Sequence, residues 1–358
     1  PGELTLFNGD LYFAATNADA QRELWHVTAA GTAAQVTTLN ATGAANPAYD
    51  YFGWPIAASS DTVLIGAQGD VEGGVPSGSA YLFTRSGGGW ALEQKLVADP
   101  PQPYAGFGGA TAIWGDVVVV GAPDHGGAGV WPGAAYVFGP SGGVWTQTQK
   151  LFGSEVPPGG GFGASVALDR ETLLVSAWGV DSAGSVYVFE ADHGSWGEVQ
   201  RLQAPQPAAF GQFGFPCAVE GHTLMVGAAG DDEAAPNAGA VHVFERVQDG
   251  LWVERQKLMA SDAAEGDYFG WVALSGDTAL VGAFGADDRA GAVYAFERDG
   301  GVWLERQRLI VPARVGFAAE QQPLAASFHG NPLDDILRRR HPVAGQVSTT
   351  KWVPAFRP

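Results

Sequence analysis

Apolar positions in this chain fall into short runs at strand spacing rather than helix spacing. Residues 145–151 (WTQTQKL) alternate with polar side chains, the period-two pattern of a strand with one covered face. Residues 134–138 alternate aromatic with smaller residues, and Val117–Ala122 (VVVVGA) is apolar throughout, as in a strand covered on both faces. Gly-rich breaks such as residues 86–89, and short ones such as Ser275-Gly276-Asp277, separate the runs and carry hairpin chemistry. The pattern predicts an all-β chain of short strands and tight turns.

The runs repeat. Phe-Gly recurs at Phe52, Phe107, Phe162, Phe213 and Phe269, with spacings of 55, 55, 51 and 56. A small pair follows the first glycine after 13, 13, 13, 13 and 12 residues, at Gly66, Gly121, Ser176, Gly227 and Gly282. An aromatic-x-Phe step comes next (Tyr81/Phe83, Tyr136/Phe138, Tyr187/Phe189, His242/Phe244, Tyr294/Phe296). Then comes Trp90, Trp145, Trp196, Trp252 or Trp303, and six residues later a Leu preceded by Gln and a Lys or Arg. Each unit reads as four strands, A to D: A after Phe-Gly, B ending at the small pair, C at the aromatic step, D from Trp to Leu. Four-stranded units repeated around an axis describe β-propeller blades. The repeated aromatics are read as packing between blades, and the glycines as points of close backbone approach.

The order Phe-Gly, Gly121-Ala122-Pro123, Tyr-Val-Phe resembles the FG-GAP repeat, over about residues 50–310. That family builds the propeller head of integrin α subunits and occurs in bacterial surface and secreted proteins. The resemblance therefore implies a secreted or cell-surface location and adhesive or protein-binding work. Glu23-Leu24-Trp25 through Ala30-Gly31-Thr32 resembles a related ELW-type bacterial repeat. With an Asn8-Gly9 hairpin, residues 1–48 are expected to be a sixth blade whose first strand is clipped. The expected blades are 1–48, 49–103, 104–158, 159–209, 210–265 and 266–310, with a seventh blade and the manner of ring closure left open. In 311–358 the markers stop; Gly316–Ala319 reads as a degenerate first strand of another blade or a strand that closes the ring, and Asn331–Arg340 as a short capped helix.

Composition narrows the function. The net charge is −19, of which the tail, with six bases and three acids, carries +3 and the first 310 residues −22. That charge disfavours nucleic acid, and no apolar run reaches the length of a membrane helix. The one cysteine, Cys217, permits no internal disulfide or cysteine metal cluster.

The B–C loops vary in length, and loops on a rigid scaffold carry function. The B–C and D–A loops together hold fourteen acids and one arginine, Arg289, making theirs the more acidic face. The binding-face candidates are Asp70, Glu72, Asp124, Asp181, Asp231, Asp232, Glu233, Asp287 and Asp288, with Tyr104 and Trp131 as aromatic contacts. The resemblance implies a calcium loop between strands A and B, but that loop is reduced here to turns such as Gly115-Asp116 and Gly276-Asp277. Calcium could then be held only by B–C acids, chiefly Asp231, Asp232, Asp287 and Asp288, for which turn and solubility roles are the competing reading. No other cofactor is indicated.

Catalytic patterns dissolve on inspection. Gly139–Gly143 fits G-x-S-x-G but occupies a C–D turn with no helix after it. Gly159–Ala164 fits a dinucleotide fingerprint but leads into a strand. The expected function is a non-catalytic module binding a protein through its acidic variable face. A carbohydrate-binding propeller is the alternative, and a hydrolase with acids in a central channel is the third reading.

Overall fold

A computed structural model describes residues 50–72, 74–86, 89–123, 132–206 and 211–310. It also describes the backbone of strands Leu4–Phe7, Asp10–Thr16, Arg22–Val27, Ala33–Thr37 and Ala326–Phe328. Five four-stranded antiparallel sheets follow one another in the order A-B-C-D. In the third of them, Phe162–Asp169, Thr172–Ala177, Ser185–Asp192 and Ser195–Leu202 are the four strands. The A strands of successive sheets pack side by side, so A is innermost and D outermost.

The expectation of six four-stranded blades is corrected to five. The N-terminal unit forms a five-stranded sheet instead, in the order Ala326–Phe328, Leu4–Phe7, Asp10–Thr16, Arg22–Val27, Ala33–Thr37. Its extra strand comes from the tail and pairs in parallel with Leu4–Phe7, Ala326 opposite Leu4. Leu4–Phe7 would otherwise be an edge strand, and Ala326–Phe328 supplies the backbone groups that edge requires. The strand expected at Gly316–Ala319 and the helix expected at Asn331–Arg340 lie outside the described residues.

The repeated residues are the fasteners of this architecture. Each Phe of Phe-Gly is buried and meets the aromatics of strand C edge to face; Phe107 lies 5.3 Å from Tyr136 and 6.0 Å from Phe138. Phe107 also closes a core with Leu64, Leu82 and Leu96 of the preceding sheet. The glycine after Phe brings its carbonyl against the small pair of the sheet before: a Cβ on Gly121 would sit 2.1 Å from the Gly163 oxygen. Side-chain-free backbone is required there because two inner strands converge. The glutamines of strand D act at the rim. Gln200 Nε2 donates to the Trp252 carbonyl (2.9 Å) and Gln200 Oε1 accepts from the Trp252 N–H (2.8 Å). Gln94, Gln149 and Gln256 grip Trp145, Trp196 and Trp303 in the same way. An amide carries a donor and an acceptor at the spacing of a peptide group, so each glutamine extends the outer edge of one sheet onto the next.

Candidate functional site

Two places on this scaffold could work chemically: the central cavity between A strands, and the face formed by B–C and D–A loops.

The cavity measures about 670 Å³ and is lined by the A strands and A–B turns of all five four-stranded sheets. Its wall is mostly small and aliphatic, with Ala112, Leu168, Val219 and Leu274 among the lining residues. Two acids and one arginine reach it, Asp169, Glu220 and Arg170. Both acids are committed to the neighbouring sheet. Asp169 Oδ2 accepts from the Gly221 N–H (2.6 Å) and Glu220 Oε2 from the Gly276 N–H (2.7 Å). Cys217 also lines the cavity; burial pushes its thiol up to about 11, against a weaker lowering from Ser165. A thiol that stays protonated is a poor nucleophile.

On the loop face, the cation of the Gln-Lys/Arg-Leu step meets B–C or D–A acids in four of the five units, while Lys150 lies over the rings of Tyr136 and Phe152. Lys95 meets Asp70 (3.1 Å), and Lys257 meets Asp231 (2.8 Å) and Glu233 (2.6 Å). Arg201 meets Asp181 (2.5 Å) and Glu155 (3.6 Å), and Arg308 meets Asp287 (2.8 Å) and Asp262 (3.0 Å). Burial works to raise the Asp70 carboxyl, yet hydrogen bonds from Tyr81 (2.6 Å) and Lys95 hold it below its ordinary value. Lys257 is desolvated as well, but its two acids hold its pKa above the usual value. Burial, with help from Asp262, pushes the Tyr294 hydroxyl up to about 12.

The binding-face candidates therefore divide. Asp70, Asp181, Asp231, Glu233 and Asp287 are paired with strand-D cations, which offset part of their charge, since Arg201, Lys257 and Arg308 are each shared by two acids. Asp232 accepts the Asn237 N–H (2.6 Å), a loop-shaping bond. Asp287 and Asp288 adopt left-handed backbone, φ 54° and 56°. Only the backbone of Glu72 is described, and Asp124 and Trp131 lie outside the described residues. Among the described residues, no three His, Cys, Asp or Glu side chains gather into a group that could hold a metal.

Tyr104 is 55% exposed and is joined by aromatics that sequence reasoning passed over: Tyr51, Phe152, Trp178 and Phe284. All five stand on D–A or B–C loops; the remaining exposed aromatic among the described residues, Trp114, stands at the end of an A strand on the other face. A signal for three of them was present. Tyr51 directly precedes Phe-Gly, and Trp178 and Phe284 each stand two residues after the first of the small pair. The residue before Phe-Gly is left-handed in every unit (Tyr51 53°, Gly106 65°, Gly161 68°, Gln212 55°, Tyr268 53°), a turn that shapes the loop face.

One deeply placed acid has no partner. Asp50 is 1% exposed, and its Oδ2 receives no hydrogen bond. Burial, with the nearby Asp70 charge, raises its pKa to about 6 against the opposing pull of Lys95.

The FG-GAP repeat family model matches residues 34–83, 90–138, 145–189, 196–244 and 252–296. No curated protein matches the chain. Among solved structures, a Bacteroides uniformis protein bearing the provisional name 6-phosphogluconolactonase aligns with TM-score 0.56 at 13% identity, over 87% of this chain and 85% of that one. A Lactobacillus plantarum protein aligns with TM-score 0.43 at 15% identity, over 85% and 97%. At 13% identity the likeness to the Bacteroides protein is one of fold alone. No helix among the described residues is long and apolar enough to cross a membrane.

Proposed function

We propose that this chain, which belongs to the FG-GAP repeat family, is a non-catalytic binding module of a secreted or cell-surface protein, engaging a protein partner through its B–C/D–A face. One observation carries the reading: five of the six exposed aromatic side chains among the described residues share that face. Tyr, Trp and Phe are the residues that anchor protein interfaces, because they bury a large area at small entropic cost. With part of its acidic charge offset by strand-D cations, the face presents aromatic anchors in a polar, still acidic rim. A binding role is further supported by the central cavity, where both acids are occupied by hydrogen bonds to the next sheet.

The test compares faces. Extracellular proteins of the source organism are passed over the immobilised chain, and a retained protein is purified and titrated. The combined Tyr51→Ala, Tyr104→Ala, Phe284→Ala variant is expected to weaken binding by at least about tenfold, and Trp114→Ala by less than about twofold. Equal losses from both, or no retained protein, would refute the reading.

A further inference from the structure

In the last unit the aromatic after the small pair has one ring face stacked by a tyrosine and is still 39% exposed. Phe284 lies under Tyr268 with ring centroids 4.8 Å apart and planes within 3°. The middle unit has Trp178 at the same position, but the residue that would cover it is Gly161. The missing side chain changes how the indole lies. A Cβ on Gly161 would fall 2.4 Å from Trp178 Nε1, 2.8 Å from Cδ1 and 3.0 Å from Cε2. All three atoms belong to the five-membered ring, so the indole rests on the glycine backbone, and Trp178 remains 45% exposed.

Three residues further along the same loop stands Asp181, in a left-handed conformation with φ 52°. Arg201 (2.5 Å) and Gln203 (2.9 Å) both donate to Asp181 Oδ2. Oδ1 takes no part in either bond. The carboxylate, guanidinium and amide form a fixed cluster of acceptors and donors, while the indole is held by close contact with backbone. An exposed flat ring on the same loop as a fixed set of planar polar groups suits a ligand with an apolar face and hydroxyls at its edge.

We propose that Trp178 is the stacking platform of a saccharide site, taking the C–H face of a pyranose ring while Asp181 and its partners bind the hydroxyls. This rests on the binding-module reading and names what one of the five aromatics holds. The pyranose could belong to a free polysaccharide or to a glycan on the protein partner.

The intact chain is titrated with methyl glycosides of the common neutral hexopyranoses and N-acetylhexosamines, following binding by calorimetry and tryptophan emission. Saturable binding in roughly the millimolar range is expected, as befits a small ligand on an open site. Trp178→Ala should weaken it by at least about tenfold and Trp178→Phe by about threefold, since a smaller ring keeps part of the stack. Gly161→Tyr rebuilds the pair seen in the last unit, whose Tyr268 has φ 53°, and should abolish sugar binding with Trp178 still present. Unchanged melting temperatures show that the variants fold. Binding that survives both Trp178→Ala and Gly161→Tyr, or no binding to any glycoside, overturns the proposal. If no glycoside binds while the Tyr51/Tyr104/Phe284 variant still loses protein capture, only the saccharide site falls; if neither binding is seen, both readings fall. Loss of capture when a retained glycoprotein is deglycosylated assigns the pyranose to the partner, and binding to soluble polysaccharides alone assigns it to a free glycan.

Discussion

Replacing Asp50 by Asn is expected to stabilise the protein above pH 6 and to do little at pH 4. The reason lies in a missing donor. At the equivalent position of the last unit, Asp267 Oδ2 accepts the N–H of Ala264, three residues earlier (2.9 Å). Three residues before Asp50 the sequence has Pro47, which has no N–H to give. Asp50 is nevertheless buried, near Asp70 and Lys95, and its pKa rises from 3.8 to about 6. Below pH 3.8 the carboxyl is protonated in both the folded and unfolded chain, and its full contribution to stability is present. As pH rises toward 6 the unfolded chain releases the proton and the folded chain holds it, so stability falls. Above about pH 6 the loss is complete and amounts to roughly 2.2 × 1.36, or about 3 kcal/mol. Asn keeps the shape without the charge. The difference in unfolding free energy between Asp50→Asn and the parent should therefore grow by about 2.4 kcal/mol between pH 4 and pH 7.5. In melting temperature that is roughly 3–4 °C, at about 1.3 °C per kcal/mol for a chain of this length. Urea titrations of both proteins at pH 4, 5, 6 and 7.5 read it directly, because other titrating groups cancel in the comparison. A difference that does not vary with pH, or that favours the parent at pH 7.5, would refute the reasoning.

Three further outcomes follow from the fasteners and ion pairs. Gln200→Ala removes both bonds to the Trp252 backbone and should cost about 2–4 kcal/mol by denaturant unfolding; a loss under about 0.5 kcal/mol would deny the side chain its fastening role. Gly121→Ala forces a methyl within 2.1 Å of the Gly163 oxygen and should cost about 1–3 kcal/mol or more, whereas Gly89→Ala, with nothing within 4 Å, should stay within about 0.5 kcal/mol. Millimolar calcium should shift the melting temperature by less than about 1 °C, because RT ln(1 + [L]/Kd) is small for a weak site; a rise of several degrees would show that the B–C acids leave their cations for a metal.

Much of the fold was legible because its markers recur in order. Phe107, Gly121, Tyr136, Trp145 and Leu151 stand in one unit as their counterparts do in the next, and the hydrophobic alternation gives each its strand. The role of each marker was less legible, since it is played across sheets. Nothing local says that Gln200 reads the backbone of Trp252, or that Gly121 makes room for Gly163. The candidate face suffered most. Counting acids along the B–C loops overlooked cations lying on strand D, 26 residues away in the case of Asp231 and Lys257. Trp178 is not among the repeated markers, and the backbone it rests on, at Gly161, arrives from the preceding D–A loop.

By itself, the sequence determined the all-β class, the four-strand unit and the family, because strand periodicity and turn chemistry are local and were written five times. Tertiary structure alone decided that five sheets are four-stranded and the N-terminal one takes a fifth strand from the tail. It alone decided which acids are paired with cations and which aromatics face solvent. Those outcomes depend on contacts between residues far apart in the chain, and a contact exists only once the sheets have stacked.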